Sequence, residues 1–208
     1  MEDTVNKISI KNELLRKSIH LSSSVVPFLY YFVERELAIY VLSAACIILI
    51  LLDIFRAKHD AVGDLYLKFM KPILRGHEIE KNNSFFTGGT YITIAFLLCV
   101  VLFPKPLAIT SMFVVIFCDS MAALIGKSKG KHFISNKTVE GSLAFLVTGI
   151  IIIILTPKIS DSISEYYIGM VAVLLSAIFE LVPLKIDDNI SIPLFFGSVY
   201  LLLFNIFL

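Results

Sequence analysis

The chain has 208 residues, 57% of them hydrophobic, a formal net charge of +1 and a mean hydropathy of +0.86. A soluble domain carries about 45–50% apolar residues; here the excess is gathered in long runs, which excludes an ordinary water-soluble domain. A charge this near zero gives no sign of a nucleic-acid or acidic partner, so the placement of the charges matters more than their sum.

Residues 1–20 are polar and charged, and the apolar run that follows holds Pro27 and no small-residue cleavage site, so the first span is expected to be a retained signal anchor. Seven apolar segments succeed one another, at about 19–33, 37–55, 88–103, 106–126, 140–156, 166–183 and 190–207. The third is the weakest. Its link to the fourth across Pro104-Lys105-Pro106 is tight, and a re-entrant hairpin is the alternative there. In lipid every backbone polar group needs an internal partner, which leaves helices or a closed barrel. Runs such as Ile47-Ile48-Leu49-Ile50-Leu51-Leu52 lack the alternation of a barrel strand. The expected fold is all-α: one domain over 1–208, a polytopic bundle of about seven transmembrane helices. The connection at 57–75 sets Val62, Leu65, Phe69 and Ile73 at helical spacing among Lys68, Lys71 and Arg75, as in an amphipathic helix lying on headgroups. Cys46, Cys99 and Cys118 lie in apolar runs without metal or redox spacing and read as small buried hydrophobes.

Orientation follows from the cations. Fifteen of the eighteen Lys and Arg fall on one side of the expected spans; Arg35, Lys105 and Lys158 fall on the other. The positive-inside rule then predicts a cytoplasmic N-terminus, an external C-terminus and chemistry-capable loops on the cytoplasmic face.

An acidic residue in a membrane helix is costly and calls for a reason. Asp53 and Glu180 lie near the cytoplasmic ends of the second and sixth spans, where each is either a cap or a functional group. Asp119 lies about two turns inside the fourth, with no cation near it in sequence. Downstream come Gly126, Lys127, Lys129, Gly130, Lys131, Lys137, Thr138, Glu140 and Gly141. Glycines let backbone N–H groups approach an oxyanion, a helix start adds a positive dipole, and lysines neutralise phosphate. Asp119 and Glu140 are suited to Mg²⁺, a hard cation that takes carboxylate, water and phosphate oxygens. The spacing is not that of a Walker loop: Gly126 and Gly130 enclose three residues, and His132 follows Lys131. Thr87-Gly88-Gly89-Thr90 is either a second anion nest or a flexible helix entry. Arg16 and His20, one turn apart beside Lys17, are either an interfacial anchor or part of the site.

Asp119-x-x-Ala122-Ala123-x-x-Gly126-x-x-x-Gly130-Lys131, followed by Lys137-Thr138-x-Glu140-Gly141-Ser142, resembles the polyprenol kinase family, which includes dolichol kinase, phytol kinase and CTP-dependent diacylglycerol kinase. Arg16-Lys17-x-x-His20, Asp53-x-x-Arg56, Thr87-Gly88-Gly89-Thr90-Tyr91 and Asp187-Asp188-Asn189 fit the same pattern, so the resemblance runs from Arg16 to the last span. The Lys137-Thr138-x-Glu140-Gly141 block is also similar to that of phosphatidate cytidylyltransferases. The resemblance implies transfer of the γ-phosphate of CTP, or of another nucleoside triphosphate, to a lipid hydroxyl with Mg²⁺. The acceptor would be an isoprenoid alcohol or diacylglycerol. It implies catalytic roles for Asp119, Lys137 and Asp53, and nucleotide contacts from Arg16, Lys17, Gly126, Lys127, Gly130, Lys131, Thr138, Glu140 and Gly141. Asp119, Glu140 and Asp187 would hold the metal, with His20, Arg56, Gly88, Gly89, Thr90, Asp188 and Asn189 as further members. The rivals are a CDP-lipid synthase and a small transporter; the paired repeats common in transporters are absent from the sequence.

Overall fold

A computed structural model of the chain describes residues 10–59, 63, 66, 68, 86–135, 137–160, 162–184 and 186–208. The apolar run expected at 19–33 is broken: α1, Ile10–Ser22, ends within it, and α2, Val25–Phe32, follows. Ser22 and Ser23 turn their hydroxyls back onto the carbonyls of Ile19 and His20, at 2.6 and 2.5 Å. Pro27 excludes a helical carbonyl at Ser23. Both effects break the helix at the serines.

α3 is Arg35–Lys58, α4 is Gly88–Leu102 and α5 is Lys105–Phe113. A π-turn, Val114–Cys118, joins α5 to α6 at Asp119–Lys129. Pro104 and Pro106 stand at the start of α5, where a missing N–H is harmless. A short hairpin of β1 (Phe133–Ile134) and β2 (Lys137–Thr138) leads into α7, Val139–Leu155. α8 is Ile163–Glu180 and α9 is Asp188–Phe207. Among the described residues, four helical stretches are long and apolar enough to cross a membrane: α3, the continuous Lys105–Lys129 segment, α8 and α9. α4 and α7 are apolar but shorter. The amphipathic segment expected at 57–75 falls mostly outside the described residues; the guanidinium of Arg56, just before it, lies 4.7 Å above the ring of Tyr66.

The Lys105–Lys129 segment is the axis. Ala108, Met112, Val114, Val115, Ile116 and Cys118 are fully buried in it. α7, α8, α9, α4 and α3 succeed one another in packing order. Gly149 of α7 meets Val173 of α8, and Gly169 of α8 meets Ile153 of α7; a Cβ at either would fall within 3 Å of the facing side chain. Where lipid supplies little drive for association, such close backbone approach is what holds helices together. The outer faces are apolar, as in Tyr40, Val41, Ile47, Ile48, Leu51 and Leu52 of α3. Buried hydroxyls close onto their own helices: Ser111 to Leu107, Ser120 to Ile116 and Ser176 to Ala172.

The lysine-poor end uses its three cations as helix caps. Arg35 donates to the carbonyls of Val100 and Val101 at the end of α4, at 2.9 and 2.5 Å. Lys105 donates to Val33 after α2, and Lys158 to Ile153 and Thr156 at the end of α7. A cation at a C-terminus meets both orphan carbonyls and the negative end of the dipole. Glu165, fully buried, accepts from the Ile159 and Ser160 N–H groups and from the Ser160 and Tyr200 hydroxyls.

Candidate active site

α1 wears its amphipathicity inside out. Glu13 and Lys17, one turn apart, are 6% and 2% exposed, while Leu14, Leu15 and Ile19 on the opposite side are nearly half exposed. The charged face packs on α6 and the π-turn. Lys17 Nζ donates to Asp119 Oδ2 at 2.5 Å, and His20 Nε2 lies 3.7 Å from the same oxygen. His20 Nε2 also meets the Val115 carbonyl, inside the π-turn, at 3.3 Å. A π-turn breaks the regular ladder and frees carbonyls for outside partners. Arg16 pairs with Glu13, and Lys127 Nζ stands 3.5 Å from Glu13. Burial opposes ionisation of Glu13, but Arg16, Lys17 and Lys127 outweigh it and hold the carboxyl below its ordinary range.

The glycines of the motif form a seam rather than a loop. A Cβ on Gly126 would sit 2.7 Å from Thr138 Oγ1. One on Gly130 would meet Gly126 O at 2.2 Å, and one on Gly141 would meet Ala122 O at 2.8 Å. These glycines let α6 and α7 close around Thr138, which caps α7 by accepting from the Gly141 N–H at 3.1 Å. The hairpin reverses at Ser135, whose φ is 55°, the left-handed value that tight hairpin turns demand. Lys137, leaving the hairpin, bridges Glu180 of α8 and Asp188 of α9, each at 2.8 Å. Ser142 donates to Glu180. Burial opposes the Lys137 charge; Asp188 and Glu180 outweigh it and raise its pKa. Lys137 therefore stands in a carboxylate clamp rather than free at the interface.

These groups surround a cavity of about 510 Å³. Of the residues expected from sequence, Arg16, Lys17, Asp119, Gly126, Lys127, Gly130, Lys137, Thr138, Gly141 and Asp188 line it. The others do not. His20 stands behind Asp119. Asp53 Oδ2 accepts from the Thr87 N–H at 2.9 Å and from the hydroxyls of Thr87 and Thr90, at 3.3 and 2.6 Å, with Arg56 3.7 Å away. That separate cluster fixes the start of α4 through Thr87 and Thr90. Lys131 is exposed, and Glu140 pairs with His132 at 2.7 Å. Asp187 caps α9 through the N–H of buried Asn189. The carboxylates of Asp119, Glu140 and Asp187 thus face different partners, and no group of three or more His, Cys, Asp or Glu is arranged for a metal ion among the described residues. Sequence reasoning missed Glu13 and Phe133 as cavity residues and left Glu180 open as a cap. For Glu13 the signal was its one-turn spacing from Lys17.

A protein of Rickettsia prowazekii, itself uncharacterised, is 31% identical over 88% of this chain and 90% of its own length. The chain belongs to that protein's family. A CTP-dependent diacylglycerol kinase of Schizosaccharomyces pombe is 28% identical over 71% of the chain and 68% of the relative. A dolichol kinase of the same yeast is 33% identical over 46% of the chain and 20% of the relative. These distant homologues support the polyprenol and lipid kinase family. Together with the long apolar helices they fit an integral membrane protein. No family model and no solved structure matches the chain.

The seam makes a prediction that separates packing from chemistry. Gly141→Val forces α6 away from α7 and should lower the thermal midpoint of the detergent-purified protein by several degrees. Gly89→Ala, whose Cβ meets only Thr87 Oγ1 at 3.8 Å, should melt like the wild type. Equal melting of all three proteins would contradict the close-packed seam.

Proposed function

We propose that this cavity binds the polyphosphate of CTP, or of another nucleoside triphosphate, and that the chain passes the γ-phosphoryl group to the hydroxyl of an isoprenoid alcohol or diacylglycerol. The observation that carries the reading is the lining: Arg16, Lys17, Lys127 and Lys137 converge from α1, α6 and the hairpin on one cavity walled by Asp119. Phosphoryl transfer asks a protein for positioning and charge neutralisation more than for covalent chemistry. Arg16, Lys127 and Lys137 would meet phosphate oxygens. Lys17 pairs with Asp119 in the cavity wall, where the carboxylate would orient the lipid hydroxyl and take its proton. The Asp53 cluster would act at a distance, by fixing the start of α4.

Four cations are matched in this lining by four carboxylates: Glu13, Asp119, Glu180 and Asp188. A cavity so balanced offers a multiply anionic nucleotide little net attraction, so an accompanying cation fits the donor set. Mg²⁺ binds such ligands through one or two carboxylates together with the phosphates. Of the lining carboxylates, Asp119, Glu180 and Asp188 would be the ligands, each turning to the metal from the lysine it now faces; Glu140 and Asp187 do not line the cavity. When bound, the metal would supply charge neutralisation at the transferred group.

The direct test incubates purified protein with Mg²⁺, a panel of lipid alcohols and CTP labelled at either the γ- or the α-phosphate. Label should enter lipid from the γ position. Entry from the α position would mean cytidylyl transfer, and entry from neither would remove the reading.

Asp119→Asn should lower kcat on the order of a hundredfold or more. It also leaves buried Lys17 facing a neutral amide, so the melt should shift downward. Near-normal turnover in this variant would reduce Asp119 to a structural partner of Lys17.

We place the cavity on the cytoplasmic side because the lysine-rich end faces inward under the positive-inside rule. The native cysteines are buried and give little background. In right-side-out cells a cysteine replacing Lys158 should react with an impermeant maleimide, and one replacing Lys129 should react only after lysis. Labelling of the Lys129 site from outside would reverse the topology.

A further inference from the structure

Phe133 has no part in the machinery described so far. It is 70% exposed, yet it lines the cavity, and it is the one aromatic ring among the described lining residues. Its position is held by the hairpin: Phe133 lies directly opposite Thr138, and opposed residues project from the same face of an antiparallel pair. Thr138 is wedged against Gly126 and Gly130 in the cavity wall, so the ring is carried above the cavity on the same face. The hairpin also bears Lys137, two residues beyond the reversal at Ser135. The hairpin thus brings both a cation and an exposed aromatic ring into the lining of one cavity.

From this placement we infer that Phe133 is the stacking platform for the nucleobase of the donor nucleotide. The inference rests on the nucleotide reading above. A base has two π-faces and gains from an aromatic surface whatever its hydrogen-bonding edge, so the ring contributes affinity for nucleosides over plain polyphosphate without strong choice among bases. The charged wall, by contrast, cannot tell a nucleotide from tripolyphosphate.

The test uses the full chain in detergent with Mg²⁺ and no lipid. CTP and inorganic tripolyphosphate are titrated against wild type, Phe133→Ala and Phe133→Trp. The chain contains no tryptophan, so Phe133→Trp installs a single fluorophore at the proposed contact. CTP should change its emission in a saturable way and tripolyphosphate should not. Phe133→Ala should weaken CTP roughly tenfold and leave tripolyphosphate binding unchanged. If wild type binds CTP and Phe133→Ala binds it equally well, the stacking role is wrong while the nucleotide reading survives. Stacking is likewise overturned if CTP and tripolyphosphate weaken together in Phe133→Ala. If wild type binds neither ligand, the nucleotide reading falls and the stacking role falls with it.

Discussion

The buried pair between Lys17 and Asp119 is the interaction on which the rest of the site depends. Neither charge is tolerable alone in an apolar bundle: an uncompensated ion there costs several kcal/mol. At 2.5 Å each answers the other. The pair fixes α1 across α6 with its apolar side outward, an arrangement with little to recommend it in water. It also fixes what sits beside it. Arg16 and Glu13 share the helix with Lys17, so docking Lys17 delivers them, and with them the Lys127 contact, to the same wall. The π-turn before Asp119 takes part, because its Val115 carbonyl receives His20 from the same helix.

The two ends of the bundle use the same kinds of residue for opposite purposes. At the lysine-poor end Arg35, Lys105 and Lys158 are bound to backbone carbonyls at helix ends, and Glu165 is closed by four donors. That end is satisfied from within. At the lysine-rich end the cations meet side-chain carboxylates around an open space. A backbone carbonyl cannot leave its cation without unwinding a helix, whereas a side-chain carboxylate can rotate away. The difference in partner type, more than the difference in number, separates an end closed on backbone from one whose ion pairs can rearrange around a cavity.

Much of this was legible in the sequence, and the misses have physical causes. Asp119 stood out because nothing near it in sequence could neutralise it; its partner lies in another helix, where sequence spacing gives no guide. The break at Ser22-Ser23-Ser24 and Pro27 was readable from turn chemistry, but hydropathy averages over it. In sequence the glycines at 126, 130 and 141 point to an approach for phosphate. Glycine equally permits the approach of another helix, and composition cannot tell the two apart. Asp53 was recognised as costly, but its use as a cap for α4 depends on a contact between helices. The hairpin at 133–138 escaped because two-residue strands are too short to show a period.

The site therefore has a fixed part and an adjustable part, held by different forces. The α6–α7 seam is fixed, since the glycine contacts around Thr138 leave no room for side chains to shift. Around it, α1 and Lys137 are held toward the cavity by ion pairs. A phosphate group competes for the same guanidinium and ammonium partners as a carboxylate does. A ligand rich in phosphate and a divalent cation would therefore exchange partners with Glu13, Asp119, Glu180 and Asp188 instead of filling an empty charge. Binding of that kind costs no new burial of unpaired charge, because each cation passes from one anion to another. It also couples three elements distant in sequence through one ligand: α1, the hairpin, and the facing ends of α8 and α9.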